Sequence, residues 1–177
     1  MVASGIVAVR IANADDFHIW FALFEAVAAE GKWIGSESPL DRDARRQSFD
    51  HYLESEDAVT LLAEVDGQLV GNLGVEIRRG VGHLGMLVDE RWRGRGVGST
   101  LMESCINWAK EHGAHKVSLE VWPHNTAAID LYKKFGFERE GLQRRHYRRR
   151  NGQLWDAITM GLVLDWDSRS SPFVPGA

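Results

Sequence analysis

The chain has 177 residues, and its 21 Lys+Arg against 25 Asp+Glu give a formal net charge of −4. The 44% hydrophobic and 26% charged fractions exclude a disordered protein, and the acidity argues against a nucleic-acid-binding protein dominated by contacts to the phosphate backbone. No apolar run approaches the roughly 20 residues that span a bilayer, so we expect no membrane association. The single cysteine cannot form an internal disulfide and the N-terminus lacks a secretion-signal pattern, so we expect a cytoplasmic protein.

Hydrophobic periodicity in the first half predicts a strand, two helices and three further strands. Asn13 is positioned to cap the first helix, and Asp66-Gly67 is a strong signal for a two-residue hairpin turn. The predicted elements are strand 6–11 with one well-buried face, helix 15–30, loop 32–40, helix 41–53 and strands 59–65, 68–75 and 83–88.

The second half alternates helices and strands before a final hairpin. Its predicted elements are helix 99–112, strand 117–121, helix 126–135 and strands 142–149 and 154–164, the last two joined at Asn151-Gly152. The order β-α-α-β-β-β-α-β-α-β-β predicts an α/β (α+β) protein with a mixed sheet covered by helices, not a doubly wound fold. We predict one domain over residues 5–166, followed by a loose tail over 167–177.

The most informative segment runs from Leu87 to Leu101, where a strand end, a glycine-rich turn and a helix start follow one another. Its glycines are Gly94, Gly96 and Gly98, and its arginines are Arg91, Arg93 and Arg95. Glycines let an anion approach main-chain N–H groups, and a helix start adds unpaired donors and the positive end of the helix dipole. The segment therefore indicates either a phosphate site or a tight turn with solvated arginines.

Two nucleotide-binding motifs fit this turn poorly. A P-loop needs a lysine before the Ser or Thr at the helix start, and Gly98-Ser99 has none. A Rossmann fingerprint needs its third glycine three positions after the second and an acidic residue about 20 positions further on. The glycines here are spaced by two, and the residue at that later position is Ala114.

The turn resembles the pyrophosphate loop of the GNAT acetyltransferase superfamily, which is written Arg/Gln-x-x-Gly-x-Gly/Ala. Arg93 to Gly98 matches this pattern at every fixed position. These enzymes continue with an amphipathic helix, a strand, an Asn and a helix bearing a Tyr before Gly-Phe, which the chain supplies as Asn125, Tyr132 and Gly136-Phe137. The resemblance covers about residues 59–164 and implies the GNAT fold, a central mixed and mostly antiparallel sheet flanked by helices.

The resemblance implies acetyl-CoA as the co-substrate and assigns residues to it. Main-chain groups of three strand residues would pair with the pantetheine arm, the N–H groups of the turn would hold the CoA pyrophosphate, and one Asn would bond the pantetheine. These are Met86, Leu87 and Val88 on the strand, then Arg93, Gly94, Arg95, Gly96, Val97, Gly98 and Ser99 in the turn, and Asn125. Asn125 can also cap the following helix.

Two catalytic residues follow from the same resemblance. Tyr132 would protonate the leaving thiolate, and Glu120, which lies twelve residues before it as in ribosomal-protein alanine acetyltransferases, would be the base. A base is needed because an alkyl ammonium, with a pKa of roughly 10, cannot attack a thioester. We expect Glu120 to be partly buried, with its pKa raised toward neutrality. In the alternative interpretation Tyr132 is a core residue with a wet hydroxyl, and Glu120 pairs with an arginine.

The acceptor is less well defined by the sequence. The resemblance assigns it to the first two helices, their loop and the late hairpin, at Phe24, Glu25, Trp33, Ile34, Ser36, Glu37 and Tyr147. Glu25, Trp33 and Glu37 are the candidate substrate residues, and an aromatic wall with a carboxylate suits a small cationic or zwitterionic amine. The run from Glu30 to Pro39 looks most like acetyltransferases of amino acids and phosphinothricin-like compounds. The alternatives are acetylation of a protein N-terminus or lysine, which needs an open groove, and an acyl-CoA-binding module without catalysis.

The cysteine, the histidines and a run of arginines give no sign of further catalytic or metal-binding chemistry. Cys105 lies on the apolar face of its helix and reads as core. The seven histidines show no paired-ligand spacing, so we predict no metal. Arginines between Arg144 and Arg150 lie on a strand entering a hairpin, so we expect them to alternate between faces and be solvated, with Asp156 as a partner for one of them. The alternatives are contact with an acidic substrate or with the second subunit of a homodimer.

Overall fold

A computed structural model of the protein describes residues 5–164, and the predicted tail over 167–177 lies outside this range. Seven strands form one sheet in the order β1-β2-β3-β4-β5-β7-β6. The strands are β1 (Ala8–Ile11), β2 (Ala58–Val65), β3 (Gln68–Arg78), β4 (Val81–Val88), β5 (Lys116–Val121), β6 (Glu138–Arg148) and β7 (Leu154–Val163). The helices are α1 (Phe17–Ala29), α2 (Arg42–Glu54), α3 (Val97–Glu111) and α4 (Thr126–Lys134). Short 3-10 turns lie at Ala14–Asp16 and Glu90–Trp92.

The strand pairings confirm a mixed, mostly antiparallel sheet flanked by helices. Within the described residues every neighbouring pair is antiparallel except β4 and β5, which run parallel. Two tight turns join the β2–β3 and β3–β4 hairpins, and both carry positive φ at two successive residues, Asp66-Gly67 and Arg79-Gly80. Such turns match the twist of the flanking strands.

Helices cover both faces of the sheet because neighbouring residues of β2 point in opposite directions. Leu62 is buried with Trp20 of α1 and Phe49 of α2, whereas Leu61 is buried in the cluster that contains α3. Tyr132 of α4 belongs to the same cluster as α3. The helices α1 and α2 therefore cover one face, and α3 and α4 cover the other.

Several predicted boundaries were wrong by a few residues, and one predicted environment was wrong. β1 is a short edge strand whose residues are exposed or half-buried, so it lacks the well-buried face expected of residues 6–11. Helix α3 begins at Val97, two residues before the predicted start, and β6 begins at Glu138 instead of Leu142. The chain over 32–40 is a loop without helix or strand, as predicted.

Candidate functional site

A cavity opens in the sheet where β4 and β5 separate. The two strands pair only at Val81–Lys116, Gly82–Val117 and His83–Ser118. Beyond these pairs the strands line opposite sides of a cavity of about 600 Å³, with Leu84 to Val88 on one side and Leu119 to Trp122 on the other. The gap leaves main-chain groups of both strands available to a ligand.

The free edge of β4 carries the residues predicted to pair with pantetheine. Met86, Leu87 and Val88 all line the cavity. The N–H of Asp89 donates to Val70 O of β3 at 2.9 Å, so by strand alternation the main-chain groups of Val88 and Met86 point away from β3, toward the gap. The carbonyl of Val88 accepts a hydrogen bond from Arg93 Nε at 3.0 Å.

The glycine-rich turn brings an uncapped helix start to the cavity. Gly96 has φ +87° in the left-handed region and precedes α3 without any side chain capping the helix. A side chain at Gly96 would enter open space, whereas one at Gly98 would come within 2.9 Å of Leu131. The N–H groups at the start of α3 thus lack intrahelical partners and can bind an anion.

Five of the seven predicted turn residues line the cavity, namely Arg93, Gly94, Gly96, Gly98 and Ser99. The other two are not part of the lining: Val97 is buried in the core, and the Arg95 guanidinium lies 5.3 Å from the ring centre of Trp92.

The guanidinium of Arg93 uses three of its five N–H donors within the protein. It donates to both carboxylate oxygens of Glu30, at 2.7 and 2.5 Å, besides its bond to Val88 O. Glu30 also accepts from Trp33 Nε1 at 2.7 Å, and its hydrogen bonds to Arg93 hold the pKa of this carboxyl below its ordinary value. Sequence reasoning missed Glu30 because its partner lies 63 positions away in the chain.

Helix α4 presents Asn125 and Tyr132 to the same cavity. Asn125 caps α4 by accepting a hydrogen bond from Ala128 N at 3.3 Å, and it lines the cavity as well. Tyr132 is only 6% exposed and packs on Phe137, and burial raises its pKa to about 12. Its hydroxyl is therefore protonated throughout the neutral range.

Glu120 lines the cavity from β5, but it is exposed, not partly buried as predicted. The predicted alternative, pairing with an arginine, is not found among the described residues either. Its carboxylate accepts hydrogen bonds from Tyr147 Oη at 2.5 Å and from Gln143 Nε2 at 3.2 Å, both on β6. These bonds fix the carboxylate, and burial together with the bond to Glu120 raises the pKa of Tyr147 to about 12.

The three candidate substrate residues have different positions. Trp33 lines the cavity, beside Ile34, Gly35 and Tyr147. Glu25 lies outside the lining and accepts hydrogen bonds from Ser38 Oγ and Leu40 N, so it holds the loop over 31–40. Glu37 also lies outside the lining and accepts from Arg150 N at 2.9 Å.

The late hairpin does not carry uniformly solvated arginines, which corrects the sequence-based expectation. The side chain of Arg149 is 3% exposed, and its guanidinium lies 4.4 Å from the Trp155 ring centre and 5.8 Å from that of Trp122. Its Nη1 donates to the carbonyls of Ile34 at 3.2 Å and Gly35 at 3.1 Å. The expected partner for an arginine side chain, Asp156, instead accepts from the main-chain N–H of Arg145 at 2.7 Å.

The family model of the Acetyltransferase (GNAT) family matches residues 20–137, which is most of the part of the chain that forms the cavity. The chain belongs to the GNAT acetyltransferase family. This membership confirms the resemblance drawn from the glycine-rich turn and identifies the protein as an acetyltransferase.

Relatives of this GNAT protein act on different acceptors, as their names state. It is 40% identical over 112 residues to the L-amino acid N-acetyltransferase AaaT of Escherichia coli, covering 58% of this chain and 67% of the relative. It is 26% identical to an L-methionine sulfoximine/L-methionine sulfone acetyltransferase of Pseudomonas aeruginosa, covering 93% of this chain and 98% of the relative. The crystal structure of a ribosomal-protein-alanine N-acetyltransferase from Brucella melitensis superposes with a TM-score of 0.81 at 26% identity, covering 89% of this chain and 99% of that one.

Three remaining predictions concern groups outside the cavity of this GNAT protein. Cys105 is buried in the core, and burial raises the pKa of its thiol to about 12. Among residues 5–164 there is no group of three His, Cys, Asp or Glu side chains placed to hold a metal ion. No helix within the same range is long and apolar enough to cross a membrane.

Proposed function

We propose that this acetyltransferase moves an acetyl group from acetyl-CoA to the primary amine of a small molecule, an amino acid or a related amine. The reaction would proceed by direct attack within a ternary complex. The observation that carries the proposal is one cavity lined by an uncapped helix start, a free strand edge, a glutamate and a tyrosine. The names of two relatives, which act on amino acids or on methionine analogues, support the acceptor class.

The residues at the start of α3 suit the CoA pyrophosphate. Main-chain N–H groups from Arg93 to Ser99 would bind it, because they lie in the turn and at the uncapped helix N-terminus, where Gly94 and Gly96 leave open space. Met86 and Val88 on the β4 edge would pair with the pantetheine arm as an added strand does, whereas the main-chain groups of Leu87 face β3. Asn125 would hydrogen-bond the same arm. Acetyl-CoA would supply the activated thioester.

Glu120 would act as the base for the acceptor ammonium, directly or through a water. Its carboxylate faces the cavity and is held by Tyr147 and Gln143, so little reorganisation is required when it accepts a proton. The main-chain N–H of Val88 would stabilise the thioester oxygen as negative charge develops there.

Tyr132 would donate to the leaving sulfur. A hydroxyl with a pKa of about 12 is protonated at every working pH, so the donor is always available. In water the CoA thiolate, whose conjugate thiol has a pKa of about 8.5, is too weak a base to take the proton of Tyr132 completely. Burial beside Tyr132 raises the pKa of the thiol as well, which narrows this difference. Tyr132 therefore acts first as a hydrogen-bond donor to the developing thiolate.

A second candidate acceptor is a protein N-terminus, as in ribosomal-protein alanine acetyltransferases. The similarity to the Brucella enzyme favours it, as does the position of Glu120 relative to Tyr132. A homodimer and a cytoplasmic location remain predictions, and sedimentation velocity and fractionation of the producing cell would test them.

The deciding experiment is thiol release from acetyl-CoA against a panel of amino acids, polyamines, aminoglycosides and N-terminal peptides. The wild type should acetylate a small amine, and Glu120→Gln should lower kcat by roughly a hundredfold or more while CoA binding is unchanged. Activity with peptides alone would move the assignment to protein acetylation. CoA binding without turnover of any acceptor would leave a binding module, and absence of CoA binding would refute the proposal.

A further inference from the structure

The loop over 31–40 and the β6–β7 hairpin are fastened to each other by two consecutive arginines. Arg149 holds the carbonyls of Ile34 and Gly35 from its buried position beside Trp155 and Trp122. Arg150 is exposed and donates to the carbonyls of Ser38 at 2.7 Å and Pro39 at 2.9 Å. We call this set of contacts the clasp.

Glu37 completes the clasp from the loop side. Its carboxylate accepts from the main-chain N–H of Arg150 at 2.9 Å and lies 3.6 Å from Arg149 Nε. Carbonyl oxygens, a carboxylate and two aromatic rings thus surround the guanidinium of Arg149. These groups compensate the loss of hydration of a buried cation. Every hydrogen bond of the clasp joins residues more than 100 positions apart in the chain.

The clasp lies directly behind the wall of the cavity next to Glu120. Ile34, Gly35 and Tyr147 line the cavity, and the Tyr147 ring is so close to the loop that a Cβ added at Gly35 would lie 3.9 Å from it. Tyr147 in turn bonds Glu120. The wall beside the candidate base is therefore lined by residues of β5, the hairpin and the loop.

We propose that the clasp determines acceptor selectivity, because it keeps this wall closed to any acceptor whose chain continues beyond a single residue. The inference rests on the proposed function. A free amino acid ends within the cavity, whereas a peptide adds about 3.3 Å of backbone for each further residue and needs a passage through the wall. Arg149 is the principal positioning residue, and Arg150 supports it from the surface.

The test compares one small acceptor with a tetrapeptide that carries the same residue at its N-terminus. The variants are Arg149→Met, which keeps an apolar stem without donors, and Arg150→Ala, which alters only an exposed side chain. Arg148→Met is the matched control, because Arg148 is an exposed neighbour on the same hairpin and none of the clasp contacts includes it. Circular dichroism and the Kd for acetyl-CoA are measured for every variant.

The wild type should favour the small acceptor over the tetrapeptide by about a hundredfold or more in kcat/KM. Arg149→Met should raise KM for the small acceptor about tenfold with little change in kcat, and it should reduce the preference at least tenfold. Arg150→Ala should also raise KM for the small acceptor and reduce the preference for it over the tetrapeptide, but by smaller factors. Arg149→Lys, which keeps the charge but loses the planar fork, should fall between Arg149→Met and the wild type.

Several outcomes would overturn the inference. A preference that is unchanged in folded Arg149→Met or, if that variant does not fold, in Arg150→Ala would show that the clasp does not select the acceptor. Equal use of both acceptors by the wild type would refute the inference while leaving acetyl transfer intact. If the wild type acetylates neither, the proposed function itself fails, and the inference fails with it.

Discussion

The two ends of the cavity are built from different kinds of groups. The end that we propose for the acetyl donor, at Met86 to Val88 and Arg93 to Ser99, offers mainly main-chain N–H and C=O groups at a strand edge and a helix start. The end that we propose for the acceptor, around Trp33, Glu120 and Tyr147, is made of side chains held by other side chains. Main-chain groups can bind a ligand common to many enzymes, whereas side chains can be exchanged to suit one acceptor after another.

The largest expected effect is at the donor end, where Gly96→Asp should weaken acetyl-CoA binding about a hundredfold, because it puts a negative charge beside the pyrophosphate site. Gly96 has φ +87°, which strains any L-residue, but Asp is among the residues that most often adopt positive φ. Gly113→Asp is the matched control, since Gly113 also has positive φ and open space but follows the other end of α3. Isothermal titration measures both, and equal weakening in the two variants would contradict a pyrophosphate site at Gly96.

The next largest effect concerns the transfer of the acetyl group from the donor to the acceptor. Tyr132→Phe should lower kcat by about a hundredfold, because the leaving sulfur loses its donor, while Kd for acetyl-CoA stays the same. Tyr52→Phe on α2 is the control: that tyrosine is half-buried and lies outside the cavity lining. Steady-state kinetics with the best acceptor measure both, and an unchanged kcat in Tyr132→Phe would assign the residue to the core alone.

A smaller effect is expected at Glu30, which links the donor turn to the acceptor loop through Arg93 and Trp33. Glu30→Gln should lower the free energy of unfolding at pH 7 by about 1.5–3 kcal/mol, the range for hydrogen bonds to charged groups. The folded-state pKa of Glu30 is lowered, so the stabilisation is present above the ordinary value of 4.5 and is lost as pH falls through the folded value.

Urea unfolding of wild type and Glu30→Gln between pH 3 and 7 tests whether the stabilisation by Glu30 is lost as the pH falls. The difference between the two proteins should shrink toward the acidic end of the series. Glu111→Gln, at an exposed position at the end of α3, should differ little from wild type at any pH. A Glu30→Gln deficit that grows on acidification would contradict the ion pair with Arg93.

The smallest effect is expected at Cys105, beneath the donor end. With a pKa of about 12, only about one thiol in ten thousand is ionised at pH 8. Iodoacetamide should therefore leave the native protein unmodified and fully active, and it should label one thiol in urea. Loss of activity in step with alkylation of the native protein would contradict the buried position.

The difference between the two ends of the cavity also explains which features could be predicted from the sequence. The donor turn follows from its glycines, because a positive φ at Gly96 and the close approach of Leu131 to Gly98 are demands that few other residues meet. The elements around it follow from hydrophobic periodicity. Contacts between residues near in the chain, such as the Asn125 cap, could be predicted as well.

The acceptor end could not be predicted to the same extent. Arg149 and Ile34 are 115 positions apart, and no local pattern links them. The strand β6 is also irregular between Gln143 and Tyr147, where its register against β7 shifts and Arg145 has a positive φ. This irregularity breaks simple alternation, so the expectation of regularly alternating, solvated arginines failed at Arg149.

The short pairing of β4 with β5 has a thermodynamic consequence. Three residue pairs are all that join β1–β4 to β5–β7 within the sheet, and the cavity takes the place of the pairs that are missing. A molecule bound in the cavity would contact both groups of strands. Because only the folded state has this cavity, such a molecule would stabilise the folded state. At a hundred times its Kd such a ligand would add about 2.7 kcal/mol to the free energy of unfolding. The melting temperature of the protein would then follow the acetyl-CoA concentration around it.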